Sequence, residues 1–282
     1  MGLIRLIAAF LVTIFVSSGS YAESRLENEK VVIALLHFSP LTGELKKNTR
    51  KVSSAMKLAK EHGADWFVTP ELSLTGYYFN DVIGTEWLKE HNDPFKAAIV
   101  LRAKSLKLHT FLSHIEYADN KYFNTIFFVN QQGEVAARHR KINVIPGSED
   151  WSTAGYSPTV AKLDEYSIGL LICADAWPSR HAAELKKAGV DIVISPANWG
   201  PGKYGPGSTW ADRSKELGVP LIVNNRTGID RTLDLRKARS VVAEHGEHSF
   251  EFHSEKGALI LLEFVKREGA LQFADVRKII YF

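Results

Sequence analysis

Cysteine is almost missing from this sequence: Cys173 is the single one in 282 residues. A disulfide within one molecule is therefore excluded, and so is a metal site built from several thiolates. Excess charge of one sign is missing as well. The 35 basic residues stand against 32 acidic ones, a formal net charge of +3, which provides no strongly basic face and argues against a nucleic-acid partner. Long apolar runs are also scarce. The run from Leu6 to Val16 has 11 residues, short of the ~20 that a helix needs to cross a bilayer, so no stable membrane span is expected. Internal repeats and low-complexity blocks are absent. With 45% hydrophobic and 24% charged residues, the chain carries enough apolar material for a folded core and too little net charge for disorder.

The first 22 residues, MGLIRLIAAFLVTIFVSSGSYA, follow another logic. One basic residue (Arg5) precedes the apolar run, and small polar residues lead to Ser20-Tyr21-Ala22. This is the pattern of a secretory signal peptide. Cleavage after Ala22 is expected, giving a periplasmic or secreted protein in which residues 23–282 form a single domain.

Beyond that segment, strand and helix patterns alternate. VVIALLHF (31–38) is a continuous apolar run suited to a strand buried on both faces. Val52, Ala55, Met56 and Ala59 recur at helical spacing before Gly63. Further strands are expected near 65–69, 109–115, 122–129, 134–140, 168–172, 191–195 and 220–223. Helices are expected over 94–106, near 179–187 and up to about 217, with a strand-rich C-terminal part near 239–265. The alternation predicts an α/β protein with helices covering its sheets.

In layered α/β folds, ligands bind beyond the carboxyl ends of strands. Three places fit. WFVTP leads into Glu71, EVAARHR into Lys141, and IGLLI into Cys173. Taken singly, each has a plain structural reading: Glu71 as a helix cap, Lys141 as a solvated charge, Cys173 as core packing.

Taken together, PELSLTGY, RHRKINVIPG and LLICADAWPSR, in this order and spacing, resemble the three signature segments of the nitrilase superfamily of carbon-nitrogen hydrolases. The resemblance spans nearly all of residues 31–265, with its loosest match at ARSVVAEHGE. It implies an α/β, four-layer α-β-β-α sandwich, a homodimer or higher homo-oligomer, no cofactor, and a catalytic triad at Glu71, Lys141 and Cys173. Glu149 in PGSEDW matches a second family carboxylate. The residue types suit covalent catalysis. A thiol of ordinary pKa ~8.5 is mostly protonated at neutral pH, so a base and an adjacent cation are needed to use it as a nucleophile. On this reading Cys173 attacks an amide-type small-molecule substrate, Glu71 shuttles the proton, and the Lys141 ammonium and the Ala174 backbone N–H hold the oxyanion. Glu149 orients Lys141 or the substrate.

Tyr77, Trp151, Trp177 and Trp199 lie in loops after candidate strand ends, where they can form an aromatic wall or equally serve as loop anchors or dimer contacts; Tyr77, Trp177, Asn198 and Trp199 are the substrate-binding candidates. Ala174-Asp175 follows the cysteine, where enzymes of the true nitrilase branch carry Trp-Glu, so amides or N-carbamoyl groups are expected over nitriles. Other constellations are weaker. His245, Glu247, His248 and His253 lack a helical metal-binding spacing, and no metal is expected. Gly202-Lys203 is followed by Tyr204 rather than Ser or Thr, unlike a phosphate loop. A Cys173–His181 pair is the remaining nucleophile alternative. Two alternatives to hydrolysis stay open: acyl transfer through the same thioester, and a secreted binding protein that keeps the fold without turnover.

Overall fold

In a computed structural model of the protein, residues 30–90, 93–267 and 270–282 are described, so the expected signal segment lies outside the described residues. The chain runs β1 (Lys30–His37), α1 (Leu45–Glu61), β2 (Trp66–Val68), α2 (Asn80–Ile83), α3 (Trp87–Glu90), α4 (Pro94–Leu106), β3 (His109–Ala118), β4 (Lys121–Val129) and β5 (Val135–Arg140). It continues with β6 (Thr159–Leu163), β7 (Tyr166–Leu170), a 3-10 turn (Cys173–Ala176), α5 (Ser179–Lys187), β8 (Ile192–Ala197), α6 (Thr209–Leu217) and β9 (Leu221–Asn225). The remainder is strand: β10 (Ile229–Asp230), β11 (Leu233–Asp234), β12 (Ser240–Glu244), β13 (Glu247–Phe252), β14 (Ala258–Arg267) and β15 (Ala270–Tyr281).

Two large sheets result, ordered β15-β14-β1-β2-β3-β4-β5 and β13-β12-β9-β8-β7-β6. β1 shows why they stack. Val31, Ile33 and Leu35 enter a core shared with Ile168, Leu170 and Ile192 of the second sheet. The alternate residues Val32, Ala34 and Leu36 meet Val52, Met56 and Ala59 of α1 and Ile99 and Ala103 of α4. A strand buried on both faces thus fixes two layers at once. Helices α5 and α6 contribute Ala182, Leu185, Trp210 and Leu217 to the core on the second sheet, completing a four-layer α-β-β-α sandwich. Sequence signals set the helix limits: Asp93 caps α4 by accepting from the Phe95 and Lys96 N–H groups, with Pro94 in the first turn.

β1, β2 and β3 are parallel, as are β7, β8 and β9. β4 is antiparallel to both β3 and β5, so β5 runs with β2 and β3. The carboxyl ends of β2 and β5 therefore emerge on one edge, and those of β7 and β8 on one edge of the facing sheet. The site lies where these edges meet. Within the two large sheets, two strands depart from the sequence expectation. The loop after Lys141 ends in an edge strand, β6, and the chain closes with β15 on β14. Among the described residues, no helix is long and apolar enough to cross a membrane.

Candidate active site

Glu71 follows β2 by three residues and is fully buried. Its Oε1 accepts from Lys141 Nζ at 2.8 Å and from Asn124 Nδ2 at 2.8 Å, and its Oε2 from the Asn198 backbone N–H at 2.8 Å. Lys141 directly follows β5, and its main chain is pinned on both sides. Its N–H donates to the Asn124 carbonyl and its own carbonyl accepts from the Gly155 N–H, each at 2.8 Å. Glu149 completes the cluster. Lys141 Nζ lies 2.9 Å from its Oε1 and 2.8 Å from its Oε2, Asn124 Nδ2 donates to Oε1 at 2.9 Å, and the Ile145 N–H to Oε2 at 2.8 Å. Three of the four expected catalytic side chains thus form one buried hydrogen-bonded group.

The fourth, Cys173, opens the 3-10 turn after β7 with φ 49°, in the left-handed region that costs a non-glycine residue about 1–2 kcal/mol. Such a sharp turn at a strand end lifts a side chain out of the sheet toward the loops. Leu72, next to Glu71, shares this conformation (φ 51°). Cys173 lines a cavity of about 590 Å³ together with Ala174, Tyr77, Trp177, Asn198 and Trp199, so the remaining expected site residues share one pocket. Trp151 does not line it; its ring packs on Phe79 at 4.9 Å, in the apolar cluster that backs the wall residues Tyr77, Tyr78 and Leu233. Tyr78, Tyr204 and Leu233 supply pocket wall instead.

Burial and charge set the protonation states. Burial alone would lower the Lys141 pKa, but the Glu149 and Glu71 carboxylates outweigh it and hold the ammonium well above its ordinary value. Burial and the Glu71 charge push the Cys173 thiol well up, against the opposing pull of Lys141. This corrects the simple picture of a cation supplying a standing thiolate. One ammonium faces two carboxylates, so the cluster has no positive charge to spare, and the resting nucleophile is a thiol that needs a base during attack. Burial likewise raises Glu149, with Lys141 pulling the other way.

Residues that sequence reasoning missed hold this arrangement. Asn124 bridges both carboxylates; its only signal was an amide inside the apolar strand KYFNTIFFV. Asp175 is a clamp. It accepts from the Ile142 and Asn143 N–H groups just after Lys141, from the Ile172 N–H just before Cys173, and pairs with His139 Nε2 at 2.9 Å. Burial raises the pKa of its carboxyl, but His139 and these amides dominate and hold it below the usual range. His181 Nδ1 bonds the Asp175 carbonyl at 2.7 Å, so the expected Cys–His alternative has no support in the geometry. The fully buried Arg226 pairs with Asp230 at 2.7 Å, and Asp230 accepts the Tyr77 N–H at 2.9 Å, fastening the pocket wall.

A buried carboxylate–ammonium–carboxylate group behind a strained cysteine turn suits acyl transfer to and from sulfur. Residues 32–261 match the family profile described as carbon-nitrogen hydrolase. The chain belongs to that family. Among curated relatives, it is 26% identical to the glutamine-dependent NAD(+) synthetase of Acinetobacter baylyi, over 82% of this chain and 44% of that protein. It is 22% identical to the N-carbamoylputrescine amidase of Solanum tuberosum, over 80% and 78%. The chain therefore spans less than half of the synthetase and most of the amidase. Among solved structures, an amidase from Nesterenkonia sp. superposes with TM-score 0.74 at 22% identity, covering 84% of this chain and 90% of that one. The fold is that of the nitrilase superfamily.

Proposed function

We propose that this carbon-nitrogen hydrolase cleaves a non-peptide amide or N-carbamoyl bond through a thioester on Cys173. The observation that carries the reading is the Glu71–Lys141–Glu149 group, buried behind the pocket that Cys173 lines. Glu71 Oε2 has one main-chain donor, from Asn198, and keeps a lone pair for a proton. In the proposed sequence it takes the Sγ proton as sulfur bonds to the substrate carbonyl carbon. The oxyanion is held by the Lys141 ammonium and the Ala174 N–H. Collapse breaks the C–N bond, and Glu71 gives the proton to the departing ammonia or amine. Glu71 next takes a proton from water, whose oxygen attacks the thioester; the acid leaves and the proton returns to sulfur. The sum is amide plus water giving acid plus amine.

The Ala174-Asp175 pair after the nucleophile supports amides over nitriles, because enzymes of the true nitrilase branch carry Trp-Glu there. A glutamate-to-glutamine variant of the amidase from Nesterenkonia sp. AN1 shows covalent addition of the acetamide moiety of fluoroacetamide at the active-site cysteine, which supports assigning the reactive sulfur to Cys173. The test is ammonia release by the purified protein across amides, N-carbamoyl compounds and nitriles. Turnover should vanish in Cys173→Ala; full activity in that variant, or higher kcat/KM for a nitrile than for its matching amide, overturns the reading. Export is part of the same proposal: N-terminal sequencing of protein from the source cell should begin at Glu23.

A further inference from the structure

The inference rests on the amide-hydrolase reading and concerns what the substrate carbonyl carries. The 590 Å³ cavity is in the size range of sites for drug-sized ligands, far more than an acetyl group fills. No residue lining it bears a formal charge: Glu71, Lys141 and Glu149 sit behind it, and its wall consists mainly of Tyr77, Tyr78, Trp177, Trp199, Tyr204 and apolar side chains. Two of the rings stand open to solvent. Trp177 is 54% exposed and Tyr204 73% exposed, although both are tied through their carbonyls. The Trp177 carbonyl accepts from Arg213 at 3.0 Å, and the Tyr204 carbonyl from the Trp199 indole N–H at 2.7 Å. Apolar rings held by their main chain at the rim of a pocket lose free energy to water until something covers them.

An ammonium ligand is disfavoured because three of the five wall rings already face cations of the protein itself. Lys141 Nζ lies 6.0 Å from the Tyr77 centroid, Arg231 5.5 Å from that of Tyr78, and Lys203 5.2 Å from that of Tyr204. A zwitterionic acyl chain such as that of glutamine would desolvate an ammonium against a wall that offers it no anion. The free ring surface is that of Trp177, which leans on Trp199 with centroids 5.6 Å apart.

We propose that the acyl side of the substrate is an uncharged apolar group carrying an aromatic ring, seated against Trp177 and Tyr204. The Cys173→Ala protein, titrated calorimetrically, should bind 3-phenylpropionamide at least 30-fold more tightly than glutamine, 4-aminobutanamide or acetamide, and adding Trp177→Ala should erase at least 10-fold of that preference. Equal or tighter binding of glutamine or 4-aminobutanamide, or no binding of the aryl amide, overturns the proposal. Wild-type turnover separates the two readings. Hydrolysis of acetamide or glutamine with no preference for the aryl amide sinks the pocket assignment and leaves the hydrolase; tight binding of the aryl amide with no amide turned over leaves the assignment and sinks the hydrolase.

Discussion

Glu71 has two effects on Cys173 that a mutation can separate. Its charge helps to hold the thiol protonated, and its oxygens are the proposed proton carrier. Replacing it with Gln removes both. Sulfur then shares Lys141 with one fewer competing anion, while the departing amine loses its acid. The expected outcome is a fall in kcat of at least about 10³-fold, set by the acid-base part of the mechanism, with Cys173 still alkylated by iodoacetamide at neutral pH. Loss of both together points to a collapsed site. Asn124 is a positioning residue whose amide N–H₂ serves both carboxylates. A hydrogen bond to a charged group contributes about 1.5–3 kcal/mol. Asn124→Leu should therefore lower kcat roughly 10- to 100-fold, with KM nearly unchanged because Asn124 does not line the pocket. Asn124→Asp keeps an oxygen there but no N–H₂ donor, so it should lose kcat as well; a variant whose loss lies in KM instead overturns the positioning role.

At the scale of elements, the strand ends carried most of the legible information. Glu71, Lys141 and Cys173 could be read because each stands within three residues of a strand end, inside one of three ordered segments that resemble the family signatures. The limits of α4 were legible for the same reason, with its cap and first-turn proline adjacent in sequence. Asn124, the Asp175 clamp and β15 were not legible, because register and the packing of one sheet on another decide them. Asn124 meets Glu71 across 53 residues and Glu149 across 25. Trp151 takes the loop-anchor role instead of the wall role for a related reason: proximity to a strand end does not say on which side of its loop a ring falls. Gly155 shows the same non-local demand. A Cβ there would stand 2.2 Å from the Arg140 carbonyl oxygen, backbone that cannot step aside while Gly155 N–H holds the Lys141 carbonyl. Gly155→Ala should destabilise by at least the 1–3 kcal/mol typical of overpacking and reduce kcat at least 10-fold by displacing Lys141. Gly189→Ala is the control. It has open space but φ 67°, so it should cost about 1 kcal/mol by thermal melting and leave KM and kcat alone.

The whole molecule depends on two sheets staying face to face, and His37 sits at that junction. It ends β1 in one sheet and bonds Ser240 Oγ of β12 in the other at 3.0 Å, with the Phe252 ring edge-on at 5.2 Å. The side chain is fully buried, and burial lowers its pKa from 6.5 to about 4 despite hydrogen bonds with the Ser254 and Asn225 main chain. The unfolded chain therefore binds this proton more readily than the folded one between those two values. Above about pH 6.5 neither state is protonated there and the contribution to stability is complete. As pH falls toward 4, protonation of the unfolded chain draws the equilibrium away from the folded state. A shift of about 2.5 units corresponds to roughly 3 kcal/mol, lost mainly between pH 6.5 and 4. Carboxylates with depressed values, Asp175 among them, hold their contribution through this window, since theirs is lost only below the ordinary carboxylate range. Urea unfolding followed by circular dichroism at pH 7.5, 5.5 and 4.5 should show the decline in the wild type. His37→Gln keeps a polar group toward Ser240 and carries no titrating proton, so its stability should be lower at pH 7.5 but fall less steeply toward pH 4.5, the remaining slope coming in part from His109, whose pKa burial also lowers. An unchanged slope in that variant would assign the acid sensitivity to other groups and remove His37 as the link between the sheets and pH.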